Sequence, residues 1–108
     1  MYQIEHYLSR DGRDLFANWL VSLADRRARA FTLARVGRME GGAFGDCKPV
    51  GAGVWEARID YGPGYRVYYA RAGSRLILLL TGGDKRKQKT DIARAVDYWN
   101  DWQERNRK

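Results

Sequence analysis

The run Leu76–Leu80 places the strongest constraint on the fold, because it is apolar at every position. A strand with one solvated face alternates polar and apolar residues, whereas an uninterrupted apolar strand lies in a sheet that is covered on both faces. The run is followed by Gly82-Gly83 and then by Lys85–Lys89, in which four of five residues are basic. The sequence therefore predicts a central strand that ends at Thr81, with a cationic loop, residues 82–89, at its end.

The first third of the chain has the pattern of one short strand and two helices. The opening residues MYQIEHYL alternate weakly, which favours a strand. Asp11 can cap a first helix. Asp25 can cap a second, which continues to about Met39 and ends at Gly41-Gly42. The apolar residues of the first helix recur at helical spacing and predict one buried face; they are Leu15, Phe16, Trp19, Leu20 and Leu23.

Sheet signals dominate from Asp46 onward. The segment CKPV predicts a short strand, and Pro49 places it at an edge, because proline cannot donate to a ladder. The segments VWEARID and YRVYYAR flank Gly62-Pro63-Gly64, which is a hairpin signal. Thr90 can cap a last helix, whose apolar stripe comprises Ile92, Ala95, Val96 and Trp99. Helices set apart from a consecutive run of strands predict a single α+β domain, residues 1–108, with a largely antiparallel sheet.

Alternation within this hairpin determines which side chains share a face. The apolar residues of both strands occupy odd positions, so odd positions pair with odd ones. A three-residue loop satisfies this pairing. It places Asp60 opposite Arg66. Arg58 then lies opposite Tyr68. The other face of the hairpin is predicted to be exposed and to carry polar and charged side chains: Glu56, Arg58, Asp60, Arg66 and Tyr68.

Two interpretations of this face are open. In one, it is a solvated sheet face, on which an ion pair between Asp60 and Arg66 stabilises the fold by about 0.2–1 kcal/mol. In the other, the basic loop leans over the same end of the sheet. The cations then form one concave surface for a polyanion, with Tyr68 available to stack on a base.

Such a surface also suits RNA cleavage, because the RNA 2′-OH supplies the nucleophile. The protein has to orient this hydroxyl, remove its proton, offset charge on the phosphorane and protonate the leaving oxygen. Arg58 and Arg66 can offset charge, and a lysine crowded by other cations can move protons. This chemistry needs no metal and no cofactor. The single histidine, His6, lies far along the chain from these residues and is expected to be structural.

Composition limits the class of partner that the protein is expected to bind, but it says little about the fold. The formal net charge is +7, from 20 Lys and Arg against 13 Asp and Glu, which favours an acidic partner such as nucleic acid, the ribosome or an acidic protein. Arg27, Arg35 and Arg38 are expected on one side of the second helix. The single cysteine, Cys47, excludes an intrachain disulfide. No segment has the length of a membrane span and the start lacks a signal-peptide pattern, so we expect a cytoplasmic protein without a membrane partner.

Three motifs stand out when they are taken together. They are G-V-W-E-A-R-I-D from Gly53 to Asp60, G-P-G-Y-R-V-Y-Y from Gly62 to Tyr69, and G-G-D-K-R-K-Q-K-T-D from Gly82 to Asp91. In combination they resemble the RelE/ParE-like toxin superfamily and, within it, the HigB-like addiction-module killer proteins. The resemblance covers nearly the whole chain and is weaker in the helical first third. It implies two N-terminal helices packed on a twisted, mostly antiparallel sheet of four or five strands, with a C-terminal helix.

The resemblance also implies a function. It points to the toxin of a type II toxin–antitoxin system, held inactive by a cognate antitoxin that is a small helix-turn-helix protein. Operator DNA is then a partner only through the antitoxin complex. Many RelE-like members enter the ribosomal A site and cleave mRNA there, whereas ParE-like members inhibit DNA gyrase by binding. The residues themselves leave a third possibility open, a non-toxic nucleic-acid-binding module.

By position, Arg58, Arg66 and Lys85 match the residues that the mRNA-cleaving members use, so they are the implied catalytic residues. The residues expected to bind RNA or the ribosome are Lys48, Tyr68, Arg86, Lys87, Lys89, Arg27, Arg35 and Arg38. Several cleaving members carry a tyrosine or histidine near the start of the last helix, where this chain reads Lys-Thr-Asp-Ile. Lys85 or Asp91 can take part of that role, and Asp91 also suits the first turn of a helix.

Overall fold

The computed structural model describes residues 1–107, and these residues form an α+β fold, as the sequence predicts. The strands are β1 (Gln3–His6), β2 (Cys47–Gly51), β3 (Val54–Ile59), β4 (Tyr65–Ala72) and β5 (Leu76–Asp84). The helices are α1 (Leu15–Ser22), α2 (Arg26–Glu40) and α3 (Gln88–Arg105), and a short 3-10 turn, Lys85–Lys87, precedes α3.

The strands form one five-stranded sheet in the order β1-β5-β4-β3-β2. Neighbouring strands are antiparallel except for β1 and β5, which are parallel. The prediction of a mostly antiparallel sheet is therefore confirmed. β2 lies at an edge, as Pro49 predicts, and β5 lies between two neighbours.

β5 is covered on both faces, as its apolar run requires. Ile77 and Leu79 pack in a cluster with residues of α1 and α2. Leu78 and Leu80 pack in a second cluster, which includes the apolar stripe of α3. All four side chains are fully buried, and burying a side chain of this size stabilises the fold by about 1.5–3 kcal/mol.

One of the two predicted caps of the N-terminal helices is correct. Asp25 caps α2 by accepting hydrogen bonds from two backbone N–H groups of its first turn. The prediction for α1 is wrong. Asp14, which directly precedes the helix, caps α1 by accepting from the N–H of Ala17 at 3.0 Å. Asp11 lies in the preceding turn and accepts from Nε of Arg13 at 3.2 Å.

The predicted start of the last helix is also wrong. The helix begins at Gln88, because the 3-10 turn leads directly into it. Asp84 caps that turn by accepting from the backbone N–H of Arg86 at 2.9 Å. Thr90 consequently lies inside the first turn of α3 rather than at its cap.

The β3–β4 hairpin has the predicted parity but a different register. Arg58 lies opposite Arg66, and Glu56 lies opposite Tyr68. A shift of two residues leaves every side chain on the same face, so apolar alternation cannot distinguish the two registers. Among the residues that the structure describes, Asp60 forms no ion pair with Arg66, and the predicted cross-strand pair is wrong.

The loop of this hairpin explains the shift. Ile59 and Tyr65 form the last pair of the ladder, so the connection is residues 60–64 rather than three residues. Gly62 and Gly64 both adopt positive φ angles, 58° and 83°. These left-handed conformations are readily available to glycine, and they close the longer loop.

β5 continues beyond its predicted end at Thr81. After a bulge at Leu80 it pairs with β4 as far as Asp84, which lies opposite Tyr65. Such a bulge adds one residue to one strand and changes the direction of the side chains that follow. The extension brings the start of the 3-10 turn beside the end of the β3–β4 hairpin.

The paired glycines at the end of β5 are required by close packing. The Trp19 ring occupies the space that a Cβ would need at Gly82, and the Asp91 carboxylate occupies that space at Gly83. α1 and α3 therefore approach the backbone of β5 from opposite faces at adjacent residues.

Candidate nucleic-acid interface

A cavity of about 360 Å³ lies where the hairpin loop meets the end of β5. Its lining includes the three residues predicted to be catalytic, Arg58, Arg66 and Lys85. The remaining lining residues are Asp46, Ile59, Asp60 and Gly64. The cross-strand pairing of the two arginines and the extension of β5 bring the three cations together from three separate segments of the chain.

Arg66 is the most constrained of these cations. Its Nη1 donates to the carbonyl oxygen of Gly64 at 2.7 Å, and its Nε lies 3.4 Å from Oε2 of Glu56. The Arg66 side chain is only 11% exposed, and that of Glu56 is fully buried. One edge of the guanidinium group thus faces protein, which fixes its direction at the cavity.

Arg58 is more exposed and has an acidic neighbour. Its Nη2 donates to Oδ1 of Asp46 at 2.9 Å. This hydrogen bond and the charge of Asp46 raise the pKa of Arg58 further above its already high ordinary value. A phosphate that binds Arg58 has to compete with this carboxylate. Sequence reasoning missed Asp46, because its contact depends on how residues before β2 meet β3.

The 3-10 turn directly precedes α3 and carries three basic side chains. Lys85, Arg86 and Lys87 are all exposed. Arg86 forms an ion pair with Asp84 at 2.9 Å, which leaves the two lysines as the less neutralised charges. Cations at a helix N-terminus are unfavourable because the macrodipole is positive there. This cluster therefore opposes helix stability.

A second groove, of about 450 Å³, lies on the other side of the turn. Arg86 and Lys87 line it together with Trp19, Asp91 and Arg94. Asp91 is nine-tenths buried, and its Oδ2 accepts no hydrogen bond from residues 1–107. Burial raises the pKa of Asp91 above the usual value for aspartate. Asp91 faces this groove and not the cavity of Arg66.

Two predicted binding residues are buried, which corrects the sequence prediction. Tyr68 is fully buried beneath α3 and has no exposed ring on which a base can stack. The hairpin face expected in solvent is in fact covered at Glu56 and Arg66 as well. The prediction failed because the apolar stripe of α3 does not reveal how far the helix reaches across the sheet.

Arg35 is the second buried residue. It is 7% exposed, and its guanidinium group donates to backbone oxygens of Phe44, Asp46 and Arg58 at 2.7–2.9 Å. It thus holds the loop before β2 against the end of β3. Arg35 is a structural residue of the site and has no donor edge facing the cavity.

The other predicted binding residues are exposed at varying distances from the cavity. Arg38 lines a shallow depression of about 210 Å³, which shares Ile59 and Asp60 with the cavity. Lys48 lies on the edge strand β2, and Lys89 in the first turn of α3. Arg27 is exposed at the start of α2. These four line neither the cavity nor the second groove.

His6 takes no part in the cavity. Its Nδ1 lies 2.7 Å from Oδ2 of Asp14, and its ring packs edge-on against Phe16. This is consistent with the structural role expected from sequence. Within residues 1–107, no group of three or more His, Cys, Asp or Glu side chains is arranged to hold a metal ion. None of the helices described here is long and apolar enough to cross a membrane.

The family model "Phage derived protein Gp49-like (DUF891)" matches residues 18–96. The chain belongs to this family. The matched region contains every residue that lines the cavity, together with the whole 3-10 turn. The Gp49-like family is RelE-like and is associated with the toxins of toxin–antitoxin systems.

This chain is also similar to a protein from Haemophilus influenzae. It is 48% identical over 80 residues, which make up 74% of this chain and 81% of the relative, and it carries the name "Uncharacterized protein". The similarity therefore extends over most of both chains, and the relative's name adds no activity.

Proposed function

We propose that this Gp49-like protein is a HigB-like toxin that blocks translation by cutting mRNA on the ribosome, as a metal-independent endoribonuclease. The convergence of Arg58, Arg66 and Lys85 around one cavity carries the proposal. Two of these cations are held by neighbouring strands, so their positions are set before substrate arrives. Preorganised charge of this kind is among the largest contributions to catalysis.

The chemistry follows from the groups present. The RNA 2′-oxygen bonds to the adjacent phosphorus, the bond from phosphorus to the 5′-oxygen breaks, and a 2′,3′-cyclic phosphate forms. Arg66 and Arg58 stabilise the additional negative charge on the phosphorane. Asp60 lines the cavity without an ion-pair partner among residues 1–107. We assign it the role of general base, which accepts the proton of the 2′-OH. Lys85 donates a proton to the departing 5′-oxygen.

The partners follow from the charge and the family. The ribosome and its mRNA supply the polyanion, and Lys87, Lys89 and Arg38 extend the basic surface beyond the cavity. A small helix-turn-helix antitoxin keeps the protein inactive, and operator DNA is reached only through that complex. Expression of the toxin alone is expected to arrest growth, and co-expression of the antitoxin to restore it.

The test is mapping of mRNA 5′ ends on ribosomes incubated with the purified protein. Wild-type protein should produce discrete cuts, and Arg66→Ala should lower the single-turnover rate by about 10²-fold while ribosome binding persists. Arg75→Ala, in the exposed β4–β5 turn, is the matched control and should cut normally. Absence of cuts by folded wild-type protein would refute the proposal.

A second candidate is inhibition of DNA gyrase by binding alone. It is favoured by the Asp46 carboxylate that already engages Arg58, and by the lack of a tyrosine or histidine among the residues lining the cavity. A supercoiling assay separates the two. Loss of gyrase supercoiling at toxin concentrations that leave mRNA intact would favour this candidate.

A further inference from the structure

Glu56 is a charged residue placed in the interior of the sheet. It lies on β3, opposite Tyr68 of β4, and its side chain is fully buried. Its Oε2 accepts a hydrogen bond from Nε2 of Gln88 at 2.8 Å and lies 3.4 Å from Nε of Arg66. Its Oε1 is buried and has no hydrogen-bond partner among residues 1–107.

This arrangement is unfavourable for stability. Removing a carboxylate from water costs several kcal/mol, and a single imperfect ion pair does not fully offset that cost. A buried oxygen without a partner adds to the penalty. An apolar side chain of similar size at position 56 would suit the layer beneath α3 better, so the carboxylate needs another explanation.

We propose that Glu56 is a positioning residue, which holds Arg66 and the 3-10 turn in one fixed arrangement at the cavity. On one side it forms an ion pair at 3.4 Å with the Nε edge of Arg66, which is buried and has no hydrogen-bond partner among residues 1–107, and whose Nη1 is already held by Gly64. On the other it binds Gln88, the first residue of α3, directly after the turn that bears Lys85. One buried carboxylate thus links an arginine on the sheet to the basic turn.

The catalytic consequence rests on the proposed function. A misplacement of about 1 Å at a reacting centre can cost about 10²-fold in rate. Glu56→Gln keeps the shape of the side chain but removes its charge and presents an N–H₂ or a neutral oxygen to Arg66. The single-turnover cutting rate on ribosomes should therefore fall by about 10²-fold. Affinity for ribosomes carrying mRNA with a 2′-deoxy nucleotide at the cut position should change little.

The matched control is Glu104→Gln. Glu104 is an exposed carboxylate on the C-terminal part of α3, and the variant removes the same charge far from the cavity. It should cut at the wild-type rate. Wild-type cutting by Glu56→Gln would overturn the proposal, as would a loss that merely follows the fraction of folded protein in melting curves on the same samples.

A double-mutant cycle tests whether Glu56 acts through Arg66. If it does, Glu56→Gln combined with Arg66→Ala should cut no more slowly than Arg66→Ala alone. Losses that multiply in the double variant would show that Glu56 acts independently and would contradict the positioning role.

Should Glu56→Gln fail to fold, Gln88→Ala provides a second test. It removes the hydrogen bond between Glu56 and the first residue of α3, and it should lower the cutting rate by a smaller factor. Wild-type cutting by Gln88→Ala would then overturn the link to the turn.

An NMR readout tests the arrangement without any cleavage. The Nε–H signal of Arg66, assigned by its loss in Arg66→Ala, should exchange slowly with water in the wild type because this atom is buried beside the Glu56 carboxylate. Exchange should accelerate in Glu56→Gln and not in Glu104→Gln. An unchanged signal in Glu56→Gln refutes the positioning role. If wild-type protein cuts no mRNA but the signal responds as expected, the proposed function fails and the positioning of Arg66 stands.

Discussion

The two faces of the sheet differ in what they bury. The sheet residues that pack beneath α1 and α2 form an apolar and aromatic cluster: Ala57, Ile59, Val67, Tyr69, Ile77 and Leu79. The face beneath α3 has a similar cluster at one end, but at the other it buries Glu56 and Arg66, with Asp91 packed against Gly83. Among residues 1–107, three of the four buried charged residues therefore lie where α3 covers the end of the sheet that leads into the 3-10 turn, and the fourth, Arg35, lies on α2. If the proposed function holds, the end beneath α3 carries the binding and the chemistry, and the face beneath α1 and α2 chiefly stabilises the fold.

The largest effect should come from the apolar face. Leu79→Ala is expected to lower the free energy of unfolding by about 2–5 kcal/mol, because it removes a fully buried side chain and leaves a cavity. Urea unfolding measures this, and Leu33→Ala, on an exposed position of α2, is the control. Any Leu79→Ala protein that does fold should retain ribosome binding. If Leu79→Ala lowers the free energy of unfolding by less than about 1 kcal/mol, the face beneath α1 and α2 is not the main source of stability.

The next effect distinguishes the two faces at adjacent residues. Gly82→Ala and Gly83→Ala should each destabilise by about 1–3 kcal/mol, because the new Cβ meets Trp19 in one case and Asp91 in the other. Adding Asp91→Ala should restore stability to Gly83→Ala and not to Gly82→Ala. Thermal melting of the wild type, the two glycine variants and the two double variants checks this. Rescue of both glycine variants by Asp91→Ala would contradict the packing described.

Asp91 provides a pH test of the polar end. Burial raises its pKa in the folded protein, so the native state holds this proton more tightly than the unfolded chain. Unfolding releases protons between the two pKa values, and the free energy of unfolding should fall as pH rises through that window. Asp91→Asn should flatten this part of the profile. At neutral pH it should change the free energy of unfolding by about 1 kcal/mol. Asp97→Asn, on the exposed side of α3, should keep the wild-type profile.

The smallest effect concerns surface charge. Affinity for single-stranded RNA should fall with salt, and Lys85→Ala should reduce the slope of log affinity against log salt by about 0.7, the value for one phosphate contact. Arg27→Ala, at the start of α2 and away from the cavity, should leave the slope unchanged. Equal changes in both variants would mean that RNA binding follows overall charge rather than the basic turn.

The strand pattern predicted much of the fold because burial leaves a direct trace in sequence. The apolar run in β5 required cover on both faces, and Pro49 required an edge. The hairpin register was not available in the same way, because a two-residue shift preserves every burial preference. The observed register is closed by a five-residue loop in which Gly62 and Gly64 adopt left-handed conformations.

The candidate site was predictable where it depends on chain order. β5 follows the hairpin, so the basic segment at its end had to lie near Arg66. Burial of Tyr68 and Arg35 was not predictable, since it depends on how far a helix extends over the sheet and on loop carbonyls that accept from Arg35. Glu56 left no signal of its own, because an isolated glutamate in an alternating strand ordinarily faces solvent.

The parallel pairing of β1 with β5 bears on when the protein becomes active. Gln3 pairs with Leu76, so β1 finds its partner only after more than 70 further residues have been synthesised. Contacts between such distant residues slow folding, because a long loop has to close first. Lys85 and Gln88 follow still later. A nascent chain therefore lacks the assembled cavity until β5 and the basic turn are free to fold, and we expect a delay between synthesis of the hairpin and activity.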